Sequence, residues 1–172
     1  MFTIDNIIYQ TGSNGPVFLV VLSIIILYNK TKYLTVFLIG SFINAFINYI
    51  LKGLIAQPRP NDTKIEIEKR YSKILNFERY GMPSGHVQIA FFTLIFTYLA
   101  TQDIRVLVGY FIVSLFVIYQ RVHYGYHFIS QTIVGAFIGS VVAWLFFQYG
   151  LKVHKGKLKY KKDDYYFGPG SV

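Results

Sequence analysis

Five apolar runs divided by short polar breaks constrain this chain more than any other feature. They lie at residues 16–28, 33–54, 87–100, 106–119 and 128–151. The second and fifth reach the ~20 residues that a helix needs to cross the hydrocarbon of a bilayer. The first is short, and is expected to extend through Tyr33 or to tilt little. Hydrophobic residues make up 53% of the 172 and charged residues 15%, too apolar a balance for an ordinary soluble domain. The length suits one domain rather than two. The expected fold class is all-α: a polytopic membrane helix bundle of about five transmembrane spans.

The rest of the chain fits around those spans. Residues 12–15, Gly-Ser-Asn-Gly, read as a turn-rich start. Residues 1–10 carry no cationic region, so the first span is expected to serve as its own insertion signal. Gly40, Ser41, Asn44 and Asn48 in the second run, and the Gly135-xxx-Gly139 pair in the fifth, are small or amide residues suited to helix contacts within a bundle. Residues 57–81 turn polar, with Pro58 and Pro60, and form an extramembrane loop with a short amphipathic helix expected around residues 65–77. Residues 1–151 would then be the membrane-embedded domain, and residues 152–172 a basic, poorly ordered cytoplasmic tail.

The net charge of +9 does not gather into one patch, which argues against a nucleic-acid partner. Its distribution speaks to topology instead. Five spans place Lys30, Lys32, Arg105 and the tail lysines on one side, nine cations against three acids. The other side holds eight cations against five acids. The tail side is therefore the expected cytoplasmic one. Cysteine is absent, which excludes disulfides and thiolate metal sites.

On the opposite side, the end of span two, the start of span three, the end of span four and the start of span five share one membrane face. All the unusual polar residues sit at those four junctions. Ionisable groups at a membrane boundary are functional suspects. Lys52 and Arg59, seven apart and followed by Pro60, would share a direction if the helix persisted. They suit a phosphate as a point charge and a planar fork, or else snorkel at the interface. In Gly81-Met82-Pro83-Ser84-Gly85-His86, Ser84 can cap the third span and Gly85 lets the backbone approach an oxyanion. His86 sits where a general acid would protonate a leaving oxygen; the tripeptide alone is equally a turn and cap. His127 and Gln131, four apart, fall on one helical face. The Gln131 oxygen can accept the imidazole Nδ1–H and present Nε2 for attack on phosphorus, while Arg121 holds phosphoryl oxygens. His123 and His154 lack such company and read as structural. No acidic cluster suited to Mg²⁺ is present, and no cofactor is expected.

Taken in order, Lys52-(x6)-Arg59-Pro60, Pro83-Ser84-Gly85-His86 and Arg121-(x5)-His127-(x3)-Gln131 resemble the signature of the type 2 phosphatidic acid phosphatase superfamily, which includes the vanadium haloperoxidases. The resemblance covers about residues 52–131. It implies that Lys52, Arg59, Ser84, Gly85 and Arg121 bind phosphate, that His86 is the acid, and that His127 is a nucleophile passing through a phosphohistidine without a metal. Gln120 stands where the pattern has Ser, and Gln131 where it has Asp. Gln131, the Gly-Met-Pro-Ser-(x)-His-(x)-Gln context through Gln88 and the short chain look most like the dolichyldiphosphatase branch.

The resulting expectation is a membrane hydrolase removing phosphate from a lipid phosphate or diphosphate, first a dolichyl or polyprenyl diphosphate, then phosphatidic acid. Its partners would be that substrate and the surrounding lipids. The site would face the lumen of the endoplasmic reticulum, or away from the cytoplasm in another membrane. A haloperoxidase is disfavoured by the apolar runs. A catalytically silent lipid-phosphate binder is supported by Gln131 and opposed by the retention of both His86 and His127.

Overall fold

The computed structural model describes residues 4–60 and 77–154. Within them the chain forms five helices: α1 (Ile4–Leu27), α2 (Thr31–Ile55), α3 (Gly85–Thr101), α4 (Ile104–His123) and α5 (Ile129–His154). A 3₁₀ turn, Phe77–Arg79, precedes α3. No strand occurs among the described residues. The helices α1, α2, α4 and α5 are each long and apolar enough to cross a membrane. α3, with 17 residues, is the shorter apolar helix. At ~1.5 Å per residue it is slightly shorter than the hydrocarbon is thick. It packs against α1, α2, α4 and α5, so its neighbours rather than lipid enclose most of it.

Polarity is arranged for lipid rather than water. Val17, Phe42, Leu54 and Phe137 lie exposed on the outer faces, while Ser23, Asn44, Gln88 and Thr97 are wholly buried. Ser23 shows why the buried groups are stable there. Its hydroxyl donates to the Leu19 carbonyl at 2.8 Å and shares hydrogen bonds with Thr97 and Tyr110, joining α1, α3 and α4. Aromatic packing fills the space between α2, α3 and α5, where Phe37, Phe92, Phe96 and Phe147 meet. At that end Lys30 Nζ donates to the Ala100 carbonyl at 3.0 Å, satisfying a C-terminal carbonyl of α3. Asp103 caps α4, accepting from the Arg105 N–H at 2.9 Å.

Two boundaries differ from the sequence expectation. Residues 12–15, read as a turn, lie inside α1. A Cβ on Gly12 would overlap Gln120, and one on Gly15 would lie 2.8 Å from Val117, so the two glycines are a packing seam against α4 rather than a turn. α4 continues to His123, four residues beyond the apolar run, carrying Arg121 into its last turn. α2 matches its run closely, and α5 extends three residues past Leu151. Most of the expected amphipathic helix (residues 65–76) and the tail beyond residue 154 lie outside the described residues.

α5 approaches α3 closely because its contact face carries glycine. A Cβ on Gly135 would lie 2.7 Å from the Ser84 carbonyl oxygen, and one on Gly139 would overlap the Gln88 carbonyl. The Gly-xxx-Gly pair thus brings the start of α3 against the start of α5. That contact sets the geometry of the site.

Candidate active site

α2 ends at Ile55 because Pro58 and Pro60 follow; Ala56 turns left-handed (φ 50°) and donates its N–H to the Lys52 carbonyl. Lys52 therefore sits on the last helical turn, and Arg59 lies on the non-helical segment beyond it. The two do not share one helix, yet both reach the same cavity of about 260 Å³. Gly85, His86, Arg121 and His127 line it too, with Ala45, Asn48, Glu78 and Ile89. The four membrane-face junctions thus converge on one pocket.

The five-residue spacing between Arg121 and His127 has a local cause. The Arg121 carbonyl accepts hydrogen bonds from the N–H groups of Tyr126 and His127, both at 3.0 Å, so the loop wraps back on the end of α4. Gly125 makes the turn at φ 69°. Tyr126 then faces the Arg121 guanidinium, whose carbon lies 4.9 Å from the ring centroid. Arg121 and His127 are 5% and 3% exposed, so neither is a solvated surface group.

Gln131 holds the imidazole. Its Oε1 lies 3.1 Å from His127 Nδ1 and accepts the Phe128 N–H at 3.2 Å, while its Nε2 donates to the Pro58 carbonyl at 2.8 Å and to Gln57 Oε1 at 3.0 Å. A proline carbonyl can only accept and a backbone N–H can only donate, so the amide has one orientation. His127 Nδ1 then carries the hydrogen and Nε2 carries the lone pair. Burial first, then the charge of Arg59, lowers the His127 pKa from 6.5 to about 3, opposed by the hydrogen bond to Gln131. Burial and the neighbouring cations thus favour the neutral form of this imidazole.

Ser84 occupies the N-cap position of α3, but its side chain makes no capping bond. Its Oγ is fully buried and has no hydrogen-bond partner among the described residues. The Ser84 N–H donates to the Gln131 carbonyl at 3.0 Å, tying the start of α3 to α5. Asn48 supports the same segment, donating to the Pro83 carbonyl at 3.2 Å and to Gln88 Oε1 at 2.8 Å; Gln88 in turn donates to Asn44. Ser84 and Gln131 stand behind the cavity wall rather than on it.

Three contributors are not placed at the site by the sequence reading: Asn48, expected only as a helix contact, Gln57 and Glu78. Asn48 had a signal, since it lies four residues before Lys52 on the same face of α2. Gln57 and Glu78 had none, because each acts through contacts between segments distant in sequence. The residues present supply cationic and imidazole groups, and among the described residues no cluster of three His, Cys, Asp or Glu could hold a metal ion.

The fold and site together define a helical membrane protein with a cation-walled, imidazole-bearing pocket at one end. Residues 29–155 match the model of the PAP2 superfamily, and the chain belongs to that superfamily. Among curated proteins it is similar to dolichyldiphosphatase 1 of Homo sapiens, 29% identical over 157 residues that cover 78% of this chain and 61% of that protein. It is also similar to the dolichyldiphosphatase of Saccharomyces cerevisiae, at 26% identity over 152 residues covering 76% and 62%. The chain thus spans about three fifths of the length of these relatives. No solved structure matches it.

Proposed function

We propose that the chain is a phosphatase that hydrolyses a lipid phosphate or diphosphate through a phosphohistidine on His127, without a metal ion. The observation that carries this reading is the His127 imidazole, held by Gln131 at Nδ1, in a cavity walled by Lys52, Arg59 and Arg121. The dolichyldiphosphatase relatives favour a dolichyl or other polyprenyl diphosphate as substrate, with phosphatidic acid next.

In the first step the Nε2 lone pair of His127 forms a bond to phosphorus. The bond from phosphorus to the leaving oxygen breaks, and His86, held as an imidazolium once the phosphate charge offsets the three cations, gives its proton to that oxygen. In the second step a water oxygen bonds to phosphorus, the N–P bond breaks and His86 takes the water proton, which returns His127 to the neutral imidazole and His86 to the imidazolium. Lys52, Arg59, Arg121 and the N–H groups at the start of α3 stabilise the phosphoryl oxygens throughout. Three cations in the pocket would repel a divalent ion, which supports charge stabilisation by the protein itself. Exposed apolar faces on the surrounding helices suit a substrate whose chain stays in the bilayer.

The test is phosphate release in detergent from dolichyl diphosphate, phosphatidic acid and a soluble phosphate ester, with EDTA present. Release from a lipid substrate is expected to survive EDTA. In His127→Ala it is expected to vanish while the helical circular dichroism is retained. Full turnover by that variant, or loss of turnover on chelation, would sink the mechanism.

A further inference from the structure

One carboxylate stands among the cations of the cavity, and the reaction proposed above does not use it. Lys52 Nζ pairs with Glu78 Oε2, and the Glu78 carbonyl accepts from Arg59 Nη2 at 2.7 Å. A single residue of the 3₁₀ turn therefore engages two of the three cations that the phosphate needs. Its placement is built by packing. The Phe77 ring covers Gly53, where a Cβ would lie within 2.7–2.8 Å of it, and meets the Tyr49 ring at 5.1 Å. On the other side of Glu78, the Gly81 N–H donates to the Gln57 carbonyl at 2.8 Å. The turn is thus pinned to α2 and to the segment that follows it.

The two partners of the ion pair are unequally free. The Lys52 side chain is 3% exposed and that of Glu78 is 50% exposed. An arriving phosphoryl group can turn the carboxylate out toward water at little cost, whereas the ammonium stays fixed in the wall. Carboxylate and phosphoryl oxygens are both anionic acceptors, and their repulsion disfavours both on one ammonium.

We propose that Glu78 is a built-in competitor for the phosphate-binding lysine. It pairs with Lys52 until a phosphoryl group arrives, yields to substrate, and returns to help expel the orthophosphate left by hydrolysis. It is thereby a specificity residue that weakens the site for small anions lacking a lipid chain. Substrate is anchored by its chain in the bilayer as well as by its phosphate, so the penalty falls hardest on free phosphate. The proposal rests on the reading of this cavity as a phosphate site.

The test is equilibrium binding of inorganic orthophosphate to the full chain in detergent at one fixed ionic strength. The proteins compared are the wild type, Glu78→Gln and Glu78→Asp. Glu78→Gln leaves the backbone acceptor for Arg59 in place and removes only the charge. It is expected to bind orthophosphate about twofold to fivefold more tightly, the scale of a partly exposed ion pair. Orthophosphate should inhibit its turnover more strongly by the same factor. Glu78→Asp keeps the charge and should stay near the wild-type value. Equal or weaker binding in a folded Glu78→Gln would overturn the role of Glu78 and leave the site intact. If Glu78→Gln fails to fold, Glu78→Ala carries the same expectation and the same overturning result. Absence of orthophosphate binding in both wild type and variant would remove the phosphate-site reading and this proposal with it.

Discussion

At Gln131 a side-chain amide does what a carboxylate could not. Both ends of it are used: the oxygen faces His127 Nδ1 and the Phe128 N–H, and the nitrogen serves Pro58 and Gln57. A Cβ on Gly81 would overlap this amide, so there is little room for a rearranged side chain. In Gln131→Asp both oxygens accept and neither donates. Gln57 could turn its own amide to meet the change, but the Pro58 carbonyl would lose its donor. The shorter side chain also draws back from the imidazole. We predict that Gln131→Asp lowers phosphate release about 10- to 100-fold, the usual cost of losing the partner that orients a reactive imidazole. An unchanged rate and pH profile would show that Gln131 does not orient His127. The residue types at Lys52, Arg59, His86, Arg121 and His127 were legible because each is costly in an apolar chain and follows a fixed spacing. The reason for glutamine at residue 131 was not, since it depends on Gln57 and Pro58, more than seventy positions away.

At the scale of elements, the site depends on how closely α5 lies against the start of α3. Gly135 faces the Ser84 carbonyl and Gly139 the Gln88 carbonyl, and a backbone atom cannot yield as a flexible side chain can. Gly139→Ala is therefore predicted to destabilise the protein by about 1–3 kcal/mol, read as a lower Tm in detergent, because the added methyl forces the helices apart. Gly109 provides the control. A Cβ there meets nothing within 4 Å, so Gly109→Ala should leave Tm unchanged or raise it. Equal Tm values for the two variants would refute the seam. The same comparison explains what the hydropathy pattern could and could not show. α2, α3 and α5 follow their apolar runs closely, because lipid and core both demand apolar side chains. The start of α1 did not show, because Gly12 and Gly15 look like turn residues until α4 is seen packed against them. The last turn of α4 was hidden by Arg121, a charge that ends an apolar run but not a helix.

For the whole molecule, two distant contacts tell the ends of the bundle apart. Tyr124 Oη donates to the Asp5 carbonyl at 3.4 Å, placing the start of α1 beside the end of α4 at the site end. Lys30 donates to the Ala100 carbonyl at the opposite end, where α1 and α3 finish. The pocket residues thus lie at the end where α1 begins, as the alternating directions of successive helices require. We propose that the end bearing Lys30, Lys32, Arg105 and the six tail lysines faces the cytoplasm, because it carries nine cations against three acids, whereas the site end carries eight against five. That orientation can be tested directly because the chain has no cysteine, so any introduced thiol is the only one. Arg79 is exposed at the site end and Gln102 at the other. In sealed microsomes, whose outer surface is the cytoplasmic face, a membrane-impermeant maleimide should separate Arg79→Cys from Gln102→Cys. The cysteine at residue 102 should react from the cytoplasmic side, and that at residue 79 only after the vesicles are opened to the other side. The reverse pattern would place the pocket in the cytoplasm, and the positive-inside argument for this chain would fail. Reaction of both from one side would contradict the five-helix crossing itself.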